Sequence, residues 1–298
     1  MKKIMECVPN FSEGKDPAKI EKIIASFRER EGVKLLDHQK DADHNRLVVT
    51  AVGEPEPLRD AVIAAVGMAV EVIDMRQHQG QHPRMGAVDV IPFIPVKNVT
   101  MEEAITLSKD VAKAVWETYR LPIFLYEASA TSPERKDLAN IRKGQFEGMA
   151  EKIRLPEWRP DFGDAAIHPT AGVAAIGARM PLVAFNVNLD TDKIEIANAI
   201  AKAVRHISGG LRYCKAIGIV LKERNIVQVS MNMTDFTKTP LYRAVELIRA
   251  EAKRYGVNVV GSEIVGLVPM EALADAASYY MGLENFTIEQ VLEARIME

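Results

Sequence analysis

The residues with the clearest chemical potential lie in one glycine-rich stretch, residues 78–89, which reads HQGQHPRMGAVD. An apolar run follows it directly, which indicates a loop that leads into a buried strand. A free imidazole titrates near pH ~6.5, so a histidine in this loop can take up and release a proton at neutral pH. An arginine beside it offers paired donors to a carboxylate. The stretch therefore predicts acid–base chemistry close to an anionic group.

Three interpretations of its two histidines compete. His78 and His82 have the i, i+4 spacing of a helical zinc pair. Gly80 lies between them and Pro83 follows, however, and both residues disfavour the helix that such a pair needs. A purely structural role, in which the histidines order the loop backbone, stays open. We favour proton transfer by His82, because Pro83 stiffens the backbone beside it, with Arg84 as an anion contact.

The elements that must hold this loop alternate as strand, helix, strand, strand, helix and strand. Hydrophobic periodicity predicts strands at residues 4–9, 33–36, 47–52 and 87–93, and helices at residues 19–28 and 56–73. This order is the split βαβ arrangement of ferredoxin-like folds. Three further elements follow: a helix from Met101 to Tyr119 capped by Thr100, a strand at 123–126, and helical pieces at 137–153 broken at Gly144 and Gly148.

The same order of elements repeats in the second half of the chain. Strands are predicted at residues 182–187, 216–221, 226–231 and 259–268, and helices at 193–205, 241–255, 270–280 and 288–295. A polar, small-residue passage at 155–172 is the best candidate for a linker, and the halves would join near residues 155–180. The sequence therefore predicts an α+β fold of two ferredoxin-like βαββαβ lobes, with helices packed on one face of each sheet. We place the domains at residues 1–178 and 179–298.

Length and composition fit a globular protein of two domains. The chain has 298 residues, of which 48% are apolar, and its formal net charge is -3. A negative net charge gives no general attraction to nucleic acid or to anionic membranes. Two cysteines are too few for a disulfide framework, and the apolar runs are too short for a signal core or a membrane span. We therefore expect a cytoplasmic protein without nucleic-acid or membrane partners.

Outside the loop, few residues carry a distinct chemical signal. Asn10 lies in the turn VPNFSEG, where its side chain can cap a helix or contact a ligand. Arg46 enters a strand directly, so it is equally well a surface residue or a carboxylate clamp. His168 lies in a glycine-bounded loop, where an exposed structural role is as good an interpretation as a ligand role. Neither a phosphate-binding loop nor a dinucleotide fingerprint is present in the sequence.

The pattern H-x-G-x-H-P-R-M-G-A-x-D-V in this loop resembles the active-site segment of glutamate formimidoyltransferases, the folate-dependent enzymes of histidine breakdown. Further matches extend, in order, over nearly the whole chain: ECVPNFSEG at 6–14, NR at 45–46, DFG at 161–163, AFNVNL at 184–189 and VGS at 260–262. In that family the histidine before Pro-Arg is catalytic, which implies His82, and the loop that matches residues 163–172 contacts folate. The implied substrate-binding residues are Gly163, Asp164, Ala165, Ala166, Ile167, His168, Pro169, Thr170, Ala171 and Gly172, to which we add Asn10, Arg46 and Arg84.

The resemblance implies a stand-alone transferase, similar to the N-terminal part of formimidoyltransferase-cyclodeaminases, that forms a homodimer. Its reaction passes a formimidoyl group between N-formimidoyl-L-glutamate and the co-substrate tetrahydrofolate, without a metal. His82 can move a proton between the two nitrogens, and Arg46 and Arg84 can meet the carboxylates of glutamate and folate. Formyl transfer from N-formylglutamate fits the same residues. Two rivals remain: a metal-dependent hydrolase that uses His78, His82 and Asp89, and a non-catalytic folate-binding protein.

Overall fold

A computed structural model describes residues 2–28 and 30–296 of the chain. The chain divides into two units, Met1–Arg179 and Met180–Glu298. Each unit contains a β-sheet, helices packed against it and a hydrophobic core of its own. Within the described residues, no helix is long and apolar enough to cross a membrane.

The first unit is built around one mixed sheet. Its strands are β1 (Ile4–Cys7), β2 (Asn10–Phe11), β3 (Val33–Asp41), β4 (Arg46–Gly53), β5 (Val88–Lys97), β6 (Ile123–Glu127) and β7 (Ala174–Ala178). Its helices are α1 (Pro17–Ala25), α2 (Pro55–Val72), α3 (Met101–Tyr119), α4 (Leu138–Arg142) and α5 (Gln145–Lys152). Strands β1 and β2 lie in one line between β4 and β5, and β3 pairs with the far side of β4. These elements form the predicted βαββαβ unit, which β7 and β6 extend by parallel pairing.

The helices of the first unit begin at signals that are visible in the sequence. Thr100 caps α3 through a capping box: its side chain accepts the backbone N–H of Glu103, while the Glu103 carboxylate accepts the N–H of Thr100. Asp16 caps α1 in a similar way, and Pro17 occupies the first turn of that helix. The predicted bounds and cap of α3 are confirmed. Its buried residues are Ala104, Leu107, Ser108, Val111, Ala112 and Val115.

The two faces of the first sheet are covered differently. Helices α1, α2 and α3 pack on one face and form the main core, where each large apolar side chain contributes roughly 1.5–3 kcal/mol on burial. On the other face, α4 and α5 pack over β5, β7 and β6, and bring Ile141 and Met149 into a second buried cluster. Asn10 pairs in register with Val90 of β5, which belongs to that second cluster. Asn10 and Arg46 therefore project from the part of this face that α4 and α5 leave uncovered.

Four features of the first unit differ from the sequence prediction. Helices were predicted on one face of the sheet only, whereas α4 and α5 cover part of its second face and bury Ile141 and Met149 there. Strand β7 lies inside the region where the two halves were expected to join, between β5 and β6. Its alanines and glycine have weak strand propensity, and burial on both faces stabilises it instead. Strand β3 runs to Asp41, past its predicted end at Leu36, because an edge strand tolerates polar residues. Gly148 lies within α5 and does not break it.

The second unit repeats the plan in a smaller form. Its strands are β8 (Val183–Leu189), β9 (Cys214–Leu221), β10 (Ile226–Met233) and β11 (Val259–Val265). Its helices are α6 (Ile194–Val204), α7 (Leu241–Arg254), α8 (Met270–Met281) and α9 (Leu292–Ile296). The antiparallel order β11, β8, β10, β9 is that of a ferredoxin-like sheet, and α6 and α7 contribute to its core. The predicted α+β class with two ferredoxin-like lobes is confirmed.

Candidate active site

A small pocket on the partly covered face of the first sheet collects the residues with chemical potential. Strand β2, the turn before β4 and the loop of residues 78–86 contribute to its walls. Its lining residues are Asn10, Phe11, Ser12, His44, Asn45, Arg46, His78, His82, Arg84 and Asp89. The residues that the sequence predicts for the site thus divide into two groups. Asn10, Arg46, His82 and Arg84 come together in space, whereas residues 163–172 do not line this pocket.

His82 lies half-buried in the pocket with a free imidazole. Neither of its ring nitrogens makes a hydrogen bond within residues 2–28 and 30–296. Burial, together with the positive charges of Arg46 and Arg142, lowers the pKa of His82 to about 3. The ring is therefore neutral at physiological pH and starts a reaction as a proton acceptor. An anion bound beside these arginines would raise the pKa again, because it favours the charged imidazolium.

His78 has both ring nitrogens committed to the protein. Its Nε2 lies 3.0 Å from the backbone oxygen of Asn45, and its Nδ1 accepts a hydrogen bond from Nε of Arg84 at 3.2 Å. The ring is thus a neutral tautomer that donates through Nε2, and burial lowers its pKa. Asn45 continues the connection, since its side chain accepts the N–H of Gly14 and donates to the oxygen of Gln79. His78 therefore orders the loop and is not free to exchange protons with a substrate.

Arg84 is almost fully engaged inside the protein. Its two terminal nitrogens donate to the two carboxylate oxygens of Glu147, at 3.0 and 2.6 Å, and one of them also donates to Gln145 at 2.9 Å. Arg84 is only 7% exposed, whereas the side chain of Glu147 is 63% exposed. A substrate carboxylate would therefore have to displace Glu147 in order to reach this arginine.

Arg46 is differently placed, because it lies in the pocket without an ion-pair partner among the described residues. Its buried Nε has no hydrogen-bond acceptor. Burial lowers the pKa of Arg46, and so does the charge of Arg142, while Asp41 and Asp89 raise it. A buried donor without an acceptor costs roughly 1–3 kcal/mol, and a bound carboxylate would remove that cost. Arg46 is thus better prepared than Arg84 to meet an anion.

Arg142 is a site residue that the sequence did not reveal. It extends from the last position of α4 and forms an ion pair with Asp89, whose other carboxylate oxygen accepts the N–H of Met85 at 3.0 Å. Its buried Nε, like that of Arg46, has no acceptor among the described residues. No local motif marks Arg142, because only the packing of α4 and α5 on the sheet brings it to Asp89, which lines the pocket.

A carboxylate–histidine pair stands beside His82. Nδ1 of His44 lies 2.7 Å from Oδ2 of Asp41, and the other oxygen of Asp41 accepts the His44 N–H at 2.8 Å. The backbone hydrogen bond from His44 is the main cause that lowers the pKa of Asp41, and the bond to the His44 ring lowers it further. The His44 ring meets the His82 ring edge-on, with 6.4 Å between ring centroids. His44 carries no local signal in the sequence, because the pairing of β3 with β4 creates this arrangement.

Asn10 offers one free polar atom to the pocket. Its amide nitrogen donates to the backbone oxygen of Val8 at 3.0 Å, which leaves its side-chain oxygen free to accept from a ligand. Ser12 is used differently, since its hydroxyl donates to the oxygen of Gly86 at 2.8 Å. Asn10 is therefore compatible with its predicted contact to substrate, whereas Ser12 holds the loop.

The last residues of the loop 163–172 contact the backbone of residues 85–87, next to the pocket. His168 and Gly172 exchange backbone hydrogen bonds, and Nδ1 of His168 accepts the N–H of Ala171 at 3.0 Å. The oxygen of Ala171 accepts the N–H of Ala87, just after the candidate loop. Gly172 has φ +71, and a side chain there would meet the oxygen of Met85 at 2.3 Å. Ala171 and Gly172 are buried, whereas Asp164, Ala166 and Pro169 are exposed.

Two of the three side chains that a metal-dependent hydrolase would use, His78 and Asp89, are already engaged within the protein. His78 uses both ring nitrogens within the protein, and Asp89 is held by Arg142 and Met85. Among the described residues, no group of three or more His, Cys, Asp or Glu side chains is arranged to hold a metal ion. The arrangement instead presents a neutral imidazole and an unpaired guanidinium to an anionic substrate.

Comparisons with known proteins agree over the whole chain. The family description "Formiminotransferase domain, N-terminal subdomain" matches residues 4–179, and "Formiminotransferase domain" matches residues 184–297. The glutamate formimidoyltransferase of Streptococcus pyogenes serotype M1 is 55% identical, with 100% of both chains covered. That of Thermoplasma acidophilum is 46% identical over 98% of this chain and 97% of its own. The formimidoyltransferase-cyclodeaminase of Rattus norvegicus is 41% identical over 100% of this chain and 56% of its own.

Proposed function

The chain belongs to the formiminotransferase family, and we propose that it transfers the formimidoyl group between N-formimidoyl-L-glutamate and tetrahydrofolate in histidine degradation. The names of its full-length relatives support this activity. The observation that carries the proposal is that His82 and Arg46 line the same pocket. Within the described part of the chain, the neutral imidazole of His82 makes no hydrogen bond, and the guanidinium of Arg46 has no ion-pair partner. A proton acceptor and an anion site are the two functions that this reaction requires.

The reaction moves one carbon between two nitrogens. A secondary amine of tetrahydrofolate attacks the amidine carbon, a nitrogen–carbon bond forms, and the carbon–nitrogen double bond becomes single. The attacking nitrogen must then lose a proton, and the glutamate nitrogen must gain one before its bond to carbon breaks and the double bond re-forms. His82 accepts the first proton and delivers it to the departing nitrogen. Holding both substrates in one site supplies much of the remaining acceleration.

The charge around His82 suits this sequence of steps. The free protein holds the imidazole neutral, since burial and the nearby arginines lower its pKa to about 3. When the carboxylates of formimidoyl-glutamate bind beside Arg46, they cancel part of the positive field and make His82 a stronger base. His82 therefore gains proton affinity when formimidoyl-glutamate is bound.

We assign the carboxylate contacts in order of availability. Arg46 binds a carboxylate of the formimidoyl donor, and Arg142, still paired with Asp89, adds positive charge beside it. Arg84 binds a carboxylate only by exchange with Glu147. The side-chain oxygen of Asn10 accepts from a substrate N–H. Residues 163–172 contact the folate, as the family resemblance implies, and the homodimer rests on the same resemblance. The cytoplasmic location rests on the low cysteine count and on the short apolar runs.

A side-by-side assay of two donors tests the proposal. Purified protein and tetrahydrofolate are mixed with N-formimidoyl-L-glutamate or with N-formyl-L-glutamate, and free glutamate is measured over time, with and without a chelator. We expect release from the formimidoyl donor at a rate that the chelator does not change. No release from the formimidoyl donor would overturn the proposal, and faster release from the formyl donor would redirect it to formyl transfer.

A further inference from the structure

Lys152, at the end of α5, has its ammonium group inside a cage of backbone oxygens. Its Nζ donates to the carbonyl oxygens of Asn140 at 2.6 Å, Ile141 at 2.8 Å and Lys143 at 3.1 Å. The same nitrogen lies 4.0 Å from the centre of the Trp158 ring, which is a cation–π contact. All three donors of the ammonium group are thus directed at one short segment of chain.

That segment is the end of α4, a helix of about one and a half turns. Helix α4 spans only Leu138–Arg142, and the last carbonyl groups of any helix lack partners within it. Isolated helices of this length are unstable in water, since nucleation is costly. Lys152 provides further hydrogen bonds to carbonyl groups on both sides of residue 142 in the chain, where the backbone bond from the N–H of Lys143 to the oxygen of Asn140 is long, at 3.4 Å.

The residue between these carbonyl groups is Arg142, whose ion-pair partner Asp89 lines the candidate pocket. Its guanidinium pairs with Asp89, and its charge contributes to the lowered pKa values of His82 and Arg46, in both of which burial is the largest cause. A small rotation of the last turn of α4 would move this guanidinium away from the pocket. The conformation of the last turn of α4 therefore determines the position of the Arg142 guanidinium.

We propose that Lys152, held in place by Trp158, is a positioning residue that fixes Arg142 for binding of the anionic formimidoyl donor, an inference that rests on the proposed function. Lys152 does not touch substrate. It acts by fixing the end of α4, so that the guanidinium of Arg142 stays beside Arg46. Affinity for the donor then depends on a lysine outside the pocket.

Steady-state kinetics of matched variants test this role. In Lys152→Met, we expect KM for N-formimidoyl-L-glutamate to rise about tenfold while kcat changes less than about threefold, because binding is lost more than chemistry. Lys152→Arg should recover most of the wild-type KM, since its guanidinium can donate to several carbonyl groups and stack on Trp158. Lys143→Met removes an exposed lysine from the same segment and should keep the wild-type KM.

A double-mutant cycle separates positioning from general stabilisation. If Lys152 acts through Arg142, then Lys152→Met should raise KM no further in an Arg142→Gln background. An undiminished increase in that background, or an unchanged KM in Lys152→Met itself, would overturn the inference. Should Lys152→Met not fold in thermal melts, Trp158→Leu replaces it in the same cycle with the same expected outcomes. Wild-type protein without turnover would instead overturn the proposed function, and this inference with it.

Discussion

The guanidinium of Arg46 and the imidazole of His82 face one pocket, where burial and the charge of Arg46 together lower the pKa of the imidazole. Neither side chain makes a hydrogen bond within the described residues. In the proposed function this relationship couples substrate binding to chemistry, because a carboxylate paired with Arg46 would raise the proton affinity of His82. Binding of the formimidoyl donor would thereby strengthen the base that we propose for its transfer.

Replacing Arg46 by Gln should weaken donor binding selectively. A charged hydrogen bond contributes about 1.5–3 kcal/mol, so we expect KM for N-formimidoyl-L-glutamate to rise roughly ten- to hundredfold. The measurement is steady-state kinetics at saturating tetrahydrofolate. Arg59→Gln is the control, since Arg59 is an exposed arginine on α2 that pairs with Asp60. A donor KM in Arg46→Gln equal to that of the control would remove Arg46 from the site.

The lowered pKa of His82 should make stability depend on pH. The pKa of the ring is ~6.5 in an unfolded chain and about 3 in the folded protein. Between these pH values only the unfolded state binds the proton, so the free energy of unfolding falls as the pH drops below ~6.5, and the loss is complete at a pH of about 3. His78 and His168, whose pKa values burial also lowers, contribute equally to wild type and to a His82 variant.

Urea denaturation at about pH 7 and about pH 4.5 measures this contribution. We expect wild type to lose more stability between the two pH values than His82→Gln, whose side chain does not titrate. Both proteins must unfold with the same dependence on urea for the comparison to hold. Equal losses in the two proteins would mean that the imidazole is solvated and that its pKa is close to the ordinary value.

Arg84→Lys should affect stability more than substrate binding. The change keeps the charge but removes the two-pronged pair with Glu147 and the bond to His78. We expect the free energy of unfolding to fall by about 1–3 kcal/mol, with a smaller rise in donor KM than in Arg46→Gln. Glu147→Gln is a milder control, because it weakens the same pair from its exposed side. Unchanged stability with a large KM increase would make Arg84 the principal carboxylate ligand.

The parts of the site that the sequence predicts are those whose signal is local. His82 stands out because a proline, an arginine and two glycines lie within a few residues of it. Thr100 and Glu103 predict the start of α3 for the same reason, since a capping box needs only four residues. The alternation of apolar and polar residues likewise predicts the ferredoxin-like order of elements, because each strand or helix carries its own periodicity.

The parts that the sequence could not predict depend on contacts between distant segments. Asp41 comes opposite Arg46 only through the pairing of β3 with the start of β4, and this also places His44 beside His82. Arg142 reaches Asp89 only because α4 and α5 pack on the sheet. Strand β7 was missed because its small residues owe their conformation to the strands on either side.

The central claim is that His82 moves the proton between the two nitrogens, and single-turnover transfer with both substrates saturating tests it most directly. His82→Ala should fold as wild type, because the half-buried loop side chain lies outside the core clusters. The rate of the chemical step should fall roughly a hundredfold to ten-thousandfold.

His78→Ala is the matched comparison from the same loop. It should lose stability, because His78 bonds to Asn45 and Arg84, but it should keep most of the chemical rate. The account predicts a slow His82→Ala and a nearly normal His78→Ala in the same single-turnover measurement. A nearly normal chemical step in His82→Ala would contradict it, whatever the rate of His78→Ala.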